Sequence, residues 1–210
     1  MRKLSIQKAK LYVIVDRSAL GGRDPVQVAE AAVRGGADVI QWRDKEAPDG
    51  EFLETARLLR ERVSKLGALF VVNDRVAVAI GCQADGVHVG HEDLPVPAVR
   101  ALVGSSMLIG RSTHSIQEAL EAQRQGADYI GVGPVFATPT KPGVPAVGLE
   151  LVRQVKQKVR IPWVAIGGID LENVGLVSSA GAACVAVVRA VAAASDPEAA
   201  ARALKGRLSS

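Results

Sequence analysis

Charged and amide side chains recur at intervals along this chain, each time shortly after a short apolar run. Arg43 and Lys45 follow one run, Asn73 and Asp74 close the next, and Asp93 comes after a third. Carboxylates are ligands that Mg²⁺ prefers, while Arg and Lys neutralise the charge of phosphate groups. These residue types are therefore suited to hold a metal-bridged phosphate ester.

Later segments add anion-binding groups of other kinds. The segment GPVFATPTKPG (133–143) surrounds a single cation, Lys141, with prolines and threonines. The phrase VAIGGI contains Gly167 and Gly168 just before a predicted helix, and glycines let backbone N–H groups approach an anion. Arg189 ends the last apolar run. We interpret the first segment as a flap that closes over a diphosphate.

Simpler structural roles exist for several of these residues. Asp74 and Asp93 could each cap the helix that follows, as Ser115 with Glu118 forms a capping box. His88 lies within an apolar strand, where packing or a core hydrogen bond is the expected role. These roles leave unexplained why charges recur after consecutive strands.

The elements that must position these residues are short strands alternating with helical segments. Runs such as LYVIV and LFVVN lack the alternation of a half-exposed strand, which is typical of parallel strands buried on both faces. The helical segments close with glycine. The predicted strands are 11–15, 38–43, 69–73, 86–89, 107–110, 128–133, 162–167 and 183–188.

Eight such units predict an α/β fold, a compact (β/α)8 TIM barrel with one domain over residues 1–210. A doubly wound open sheet is the alternative. Repeated phrases such as RGGADVIQ and RQGADYIGVG are explained by helix ends that lead into strands. Because a barrel builds its site at the C-terminal ends of its strands, we expect the polar residues to meet at one rim.

Composition narrows the classes of partner. The net charge is only +4 and aromatic residues make up 3%, so the chain lacks the basic stripe and stacking platforms of a nucleic-acid-binding protein. Cys82 and Cys184 lie in apolar surroundings, as expected for reduced thiols in the cytoplasm. The basic start is not followed by the apolar core of a signal peptide, and no membrane span is expected.

An ordered set of motifs resembles one family. QWRDK, VNDRVAVAIGCQADGVHVGHEDLP, IGRSTHS, ADYIGVGPVFATPTKPG and VAIGGI occur in the order found in the thiamine-phosphate synthase family, and the resemblance covers nearly the whole chain. The resemblance implies a (β/α)8 barrel. It also implies a Mg²⁺-assisted reaction that joins a hydroxymethylpyrimidine diphosphate to a thiazole phosphate and releases pyrophosphate.

The resemblance also implies roles for particular residues. Asp74 and Asp93 are the implied Mg²⁺ carboxylates, and Lys141, Arg43, Lys45 and Ser112 are the implied catalytic residues. The implied substrate-binding residues are Gln41, Trp42, Arg43, Asp44, Lys45, Asn73, Ser112, Thr138, Pro139, Thr140, Lys141, Gly168, Val188 and Arg189. The implied partners are the two small-molecule substrates.

Two differences from the family pattern leave alternative functions open. Arg189 stands where the family pattern often has serine, and Arg111 resembles the sister family of thiazole tautomerases. In that family His114 would act as acid and base, without a metal. A non-catalytic barrel that binds phosphorylated ligands is a third alternative. The sequence leaves open whether the thiazole carries a carboxylate and whether the chain forms a homo-oligomer.

Overall fold

The computed structural model describes residues 5–138 and 143–208. Eight parallel strands follow one another around a closed barrel, and the last strand pairs with the first. This topology confirms the predicted (β/α)8 barrel. The strands are β1 (Leu11–Asp16), β2 (Val39–Arg43), β3 (Leu69–Asn73), β4 (Gly86–Val89), β5 (Leu108–Thr113), β6 (Tyr129–Val132), β7 (Trp163–Ile166) and β8 (Val185–Val187).

Helices connect the strands on the outside of the barrel. The described part of the chain forms nine α-helices rather than the eight expected, because two helices follow β8. None of them is long and apolar enough to span a membrane. They are α1 (Pro25–Arg34), α2 (Asp49–Lys65), α3 (Val76–Gly81), α4 (Val96–Val103), α5 (Ile116–Arg124), α6 (Gly148–Lys158), α7 (Val174–Ser179), α8 (Arg189–Ala192) and α9 (Pro197–Arg207).

The N-termini of the helices show which polar residues act as helix caps and which do not. The Glu118 N–H donates to Ser115 Oγ at 3.2 Å, which confirms the predicted cap of α5. Helices α3 and α4 instead begin without any side-chain cap. Asp74 and Asp93 are therefore not N-caps, and their role must be sought elsewhere.

Strand β5 continues beyond its predicted end at Gly110, up to Thr113. Its polar residues do not end the ladder: Arg111 pairs with β4, and Ser112 and Thr113 pair with β6. The Thr113 hydroxyl donates to the carbonyl of Gly131 at 2.9 Å. The strand therefore carries Ser112 on a rigid element rather than on a loop.

Apolar residues pack in two layers. The larger layer lies between the barrel and the helices and includes Trp42, Phe52 and Leu59. The smaller layer fills the barrel interior, where Ile6 joins the side chains that begin the strands, such as Val39. Because apolar residues close the N-terminal end, the C-terminal end is left to the polar residues.

The repeated phrases form a clamp at the N-terminal end of the barrel. An aspartate before β2, β4 and β6 donates its N–H to the preceding strand and accepts an N–H from the same strand residue through its carboxylate. A cation from a flanking helix pairs with each carboxylate. The three sets are Asp38 with Leu11 and Lys205, Asp85 with Phe70 and Arg60, and Asp128 with Ile109 and Arg100.

Candidate active site

A cavity of about 490 Å³ opens at the C-terminal end of the barrel. All eight strands contribute to its wall, as the rule for barrel enzymes requires. This volume lies in the range that encloses a small organic ligand. Sequence-predicted residues in the lining are Gln41, Arg43, Asn73, Ser112, Thr138, Gly168, Val188 and Arg189, together with His114 of the alternative reading.

A chain of hydrogen bonds crosses the cavity floor and links side chains of five strands. Gln41 Nε2 donates to Tyr12 Oη at 2.7 Å, and the Tyr12 and Tyr129 hydroxyls are 3.1 Å apart. His88 Nδ1 lies 3.2 Å from Tyr129 Oη, and His88 Nε2 lies 3.0 Å from Ser112 Oγ. Burial raises the pKa of Tyr12 and of Tyr129, so both phenols keep their protons.

The sequence analysis placed Gln41 and Ser112 in the site, but not Tyr12, His88 or Tyr129. It predicted a core hydrogen bond for His88, which is confirmed, but the imidazole also lines the cavity. Tyr12 and Tyr129 are the only two tyrosines of the chain, and both lie inside the barrel. A polar aromatic residue at an inward position of an apolar strand was the signal that could have identified them.

A glycine in the middle of β5 makes room for this floor. A Cβ atom on Gly110 would lie less than 3.0 Å from His88 Nδ1 and from the Tyr129 ring. Glycine weakens a strand interior and often marks a close approach of other groups. The His88–Tyr129 contact thus depends on the absence of a side chain at this position.

Two carboxylates lie at the rim beside the cavity. Lys45 Nζ forms an ion pair with Asp74, a residue with φ of 60° that is tied down by a 2.8 Å bond from its N–H to the His88 carbonyl. Such a left-handed backbone at a non-glycine residue costs about 1 kcal/mol and is often found at functional sites. Partial burial and a hydrogen bond with Asp74 raise the pKa of Asp93.

This pair is suited to a hard cation. The Asp74 carboxylate lies close enough to Asp93 to raise its pKa, and two negative charges so placed repel unless a proton or a cation lies between them. The described residues contain no group of three or more His, Cys, Asp or Glu side chains that could hold a metal. Two carboxylates nevertheless fit Mg²⁺, which usually takes one or two of them and completes its shell with water and phosphate oxygens.

Arg43 is held at the wall by a buried partner. Its guanidinium forms an ion pair with Asp16, whose side chain also accepts the N–H and hydroxyl of Ser18 at 2.9 and 2.6 Å. The Asp16 side chain is only 3% exposed, against 20% for Arg43. The buried carboxylate therefore fixes the guanidinium at the cavity, where it can also meet an anion.

The loop after β7 forms a second polar corner. Gly167 and Gly168 have φ values of 102° and 63°, and Cβ atoms there would collide with Pro134 and Phe136. Both positions therefore require glycine. Among the described residues Arg189, at the start of α8, makes no ion pair, so its charge is available to a ligand at this corner.

Trp42 and Asp44 lie outside the cavity and have structural roles. The Trp42 side chain is fully buried and packs outward on Phe52, with ring centroids 5.7 Å apart, beneath the Arg17 guanidinium. Asp44 is partly desolvated, yet the bond from Arg17 Nε at 2.9 Å and two backbone N–H bonds lower its pKa. Strand alternation turns Trp42 away from the interior, and Asp44 anchors the loop after β2.

Other predicted residues lie at the edge of what the structure describes. Lys45 is at the rim, half-exposed, and does not line the cavity. Pro139, Thr140 and Lys141 fall outside the described residues. The segment that leads to them is described up to Thr138, which lines the cavity.

His114 also lines the cavity, and its ring is engaged. Its Nδ1 lies 3.2 Å from Glu118 Oε2, and the same carboxylate accepts the His114 N–H at 2.8 Å. This arrangement ties the side chain to the first turn of α5. It lies outside the hydrogen-bonded floor formed by His88 and Ser112.

Comparison with known proteins assigns the chain to a family. A family model described as thiamine monophosphate synthase matches residues 11–191. The chain belongs to this family. A thiamine-phosphate synthase from Chloroflexus aurantiacus is 49% identical over 201 residues, which are 95% of this chain and 93% of that protein.

Further relatives agree with the assignment to thiamine-phosphate synthases. A thiamine-phosphate synthase from Thermosynechococcus vestitus is 48% identical over 99% of this chain, which spans 58% of that longer protein. A solved structure of thiamine phosphate pyrophosphorylase from Pyrococcus furiosus is 40% identical, covers 97% of both chains and has a TM-score of 0.89. A 3-hexulose-6-phosphate synthase structure, at 20% identity and a TM-score of 0.69, shares the fold.

Proposed function

We propose that this chain is an active thiamine-phosphate synthase of the cytoplasm. It couples hydroxymethylpyrimidine diphosphate to thiazole phosphate and releases pyrophosphate; where the thiazole carries a carboxylate, that group leaves as CO₂. The observation that carries the proposal is the pair of anion-binding poles on one cavity. The first pole is the rim after β2 to β4 together with Ser112 of β5, and the second is the corner after β7 and β8.

The two poles lie on opposite sides of the cavity. Strands β3 and β7 are four positions apart in a closed ring of eight, so their C-terminal ends face each other. A diphosphate at the first pole and a monophosphate at the second would leave the two rings between them, above the uncharged floor. Cations and glycine amides at both poles are suited to phosphate.

At the first pole, Arg43, Lys45, Ser112, Asn73 and the loop residue Lys141 bind the diphosphate. Asp74 and Asp93 would hold Mg²⁺, which supplies positive charge to the leaving group when bound. The bond between the pyrimidine CH₂ and the bridging oxygen breaks, and its electron pair leaves with pyrophosphate. The cationic side chains and the Ser112 hydroxyl stabilise the charge that develops there.

At the second pole, Gly168, Arg189, Thr138 and the Val188 backbone bind the monophosphate and place the thiazole nitrogen toward the pyrimidine CH₂. The nitrogen lone pair forms the new C–N bond. The ring nitrogen loses no proton, so the reaction needs no general base, and the chain contributes position and electrostatics.

The test is a product assay with purified protein, both substrates and Mg²⁺. We expect thiamine phosphate and pyrophosphate in equal amounts, and neither product when one substrate is omitted. Ser112→Ala should lower the rate by roughly 10²–10³, as for loss of a donor to developing charge. Binding of both substrates without any product would instead indicate a non-catalytic barrel, and conversion of a thiazole phosphate alone would indicate a tautomerase.

A further inference from the structure

The buried residues of the cavity floor have no role in the proposed reaction. Tyr12 and Tyr129 are almost completely buried, yet their hydroxyls join Gln41 and His88 in one continuous series of hydrogen bonds. The series ends at Ser112, the residue proposed to meet the diphosphate. Hydrogen bonds between polar side chains of five strands therefore connect to the Ser112 hydroxyl.

The donors and acceptors give this series a direction. Tyr12 Oη accepts the Gln41 amide N–H, and Tyr129 Oη is its other partner among the described residues, so we assign the Tyr12 hydrogen to the bond with Tyr129. With this assignment the Tyr129 hydrogen points to His88 Nδ1, which is then the unprotonated nitrogen. His88 Nε2 carries the ring hydrogen and donates to Ser112 Oγ.

This direction has a consequence for Ser112. An oxygen that accepts the His88 N–H directs its own hydrogen elsewhere, and Ser112 Oγ has no second partner in residues 5–138 and 143–208. Ser112 lines the cavity, so its hydrogen is available to a ligand oxygen there. With the opposite tautomer, Nε2 would accept the Ser112 hydrogen and the cavity would lose that donor.

We propose that His88 is a positioning residue, held by Tyr129 as the Nε2–H tautomer, which makes Ser112 a hydrogen-bond donor to the departing diphosphate. The inference rests on the proposed synthase function. Gly110 supports this role of His88, because a side chain at that position would collide with both His88 and Tyr129 and prevent their hydrogen bond. A residue that acts through another should lose its effect when that other residue is removed.

The first experiment reads the tautomer directly in the free protein. Long-range ¹H–¹⁵N spectra distinguish the protonated ring nitrogen from the unprotonated one, and the chain has only three histidines to assign. His91→Gln, a change at an exposed position, assists the assignment. We expect an Nε2–H tautomer for His88 in the wild type and a shift toward Nδ1–H in Tyr129→Phe. An Nδ1–H tautomer in the wild type would overturn the proposal.

The second experiment measures single-turnover rates at saturating substrates. His88→Leu should slow the reaction by about 10- to 100-fold, a part of the effect of losing a donor to developing charge. The KM for the thiazole phosphate should stay within about threefold, since that substrate occupies the other pole. His88→Gln places an N–H near the Nε2 position and should recover most of the rate, whereas His88→Asn should not.

The decisive comparison repeats these changes in a Ser112→Ala background. If His88 and Tyr129 act through the Ser112 hydroxyl, His88→Leu and Tyr129→Phe should cost less than about twofold there. Equal losses in both backgrounds would mean that the floor only supports the fold, and the proposal would be wrong. Absence of any wild-type turnover would contradict the synthase function instead, while the tautomer measurement would still stand on its own.

Discussion

At the scale of single residues, the carboxylates of the rim distinguish a metal site from a structural one. Asp93 does not cap α4, but its Oδ2 accepts the Gly90 N–H at 2.6 Å and lies against Asp74. Asparagine could keep the bond from Gly90 while it removes one of two like charges. Replacement of Asp93 by asparagine should therefore impair metal binding but preserve the structure of the loop.

We expect Asp93→Asn to lose Mg²⁺-dependent turnover while the barrel remains folded. The affinity for Mg²⁺ should fall by at least about 100-fold, since even outer partners of metal ligands typically contribute 10–100-fold. The melting temperature should stay equal or rise, because the like-charge pair is gone. Calorimetric titration with Mg²⁺ and a thermal melt measure the two effects. Glu92→Gln, its exposed neighbour, is the matched control and should change neither.

His114 separates the two enzyme families at the level of one side chain. Its imidazole is held by Glu118 and has no place in the displacement proposed above. We expect His114→Ala to lower synthase turnover by less than about tenfold, whereas an acid/base group typically contributes 10²–10⁴-fold. Steady-state assays of thiamine phosphate measure this. Loss of all synthase activity, together with thiazole isomerisation by the wild type, would contradict this assignment.

At the scale of elements, the segment after β6 is anchored where it is described. The N–H groups of Val135 and Phe136 donate to the carbonyls of Ile166 and Gly167 at 2.8 and 3.0 Å. These bonds attach the start of the segment to the end of β7. The described part of this segment, up to Thr138, is therefore fixed beside the cavity.

We expect Lys141→Ala to lower the chemical rate far more than it weakens binding of the thiazole phosphate. Charge on the leaving pyrophosphate grows in the transition state, so a cation there typically contributes roughly 10²–10³ in rate. Single-turnover rates at saturating substrate measure the effect, and Lys158→Ala at the exposed end of α6 is the control. A change below about threefold for Lys141→Ala would mean that the flap interpretation is wrong.

An aspartate that bonds to the preceding strand stands before β2, β4 and β6, but not before β8. Ala183 stands before β8 where Asp38 stands before β2. The surroundings are alike in one respect, since a Cβ on Gly181 would meet the Lys156 side chain much as one on Gly36 would meet Lys205, although Ala183 is exposed and Asp38 is partly buried. The Lys156 side chain therefore lies near a position where the sequence lacks a carboxylate.

We expect Ala183→Asp to stabilise the protein by about 0.5–1.5 kcal/mol, the usual net contribution of one added hydrogen bond. For a chain of this size that corresponds to roughly 1–6 °C in melting temperature. Ala183→Asn, which adds the acceptor without the charge, should give a smaller increase. Thermal melts compare the variants, and an aspartate variant no more stable than the wild type would show that the fourth position is not equivalent.

At the scale of the whole molecule, the site joins elements that are distant in sequence. The first pole uses loops after β2, β3 and β4, and the second uses the ends of β7 and β8. Because the loops of each pole belong to one closed barrel, a ligand bound at the first pole should stabilise the barrel as one unit rather than a single loop.

We expect pyrophosphate with Mg²⁺ to raise the melting temperature of the whole domain. At ligand concentrations of about 100 Kd the gain is about 2.7 kcal/mol, or roughly 5–11 °C for a chain of this size. Scanning calorimetry should show one transition that moves as a whole. In Asp93→Asn the shift should largely disappear, and an unchanged shift in that variant would remove the carboxylate pair from the proposed metal site.

The sequence alone was sufficient for the architecture and for the identity of most polar residues at the rim. Short apolar strands, helix ends with glycine and repeated helix–strand units have few ways to bury their surfaces other than an eight-stranded barrel. The rule that such barrels build sites at C-terminal strand ends then selected Arg43, Asn73, Asp74 and Asp93. Local chemistry and one fold rule were enough because these residues end their strands or lie within four residues of the strand end.

Only the tertiary structure decided which side chains face inward and which atoms meet. Trp42 follows Gln41 directly, but strand alternation turns it outward onto α2 while Gln41 reaches Tyr12. The series through Tyr129 to His88 and Ser112 joins residues up to 117 positions apart, and no local pattern encodes such a meeting. Closure of the barrel brings these strands together, so the hydrogen-bonded floor exists only in the folded chain.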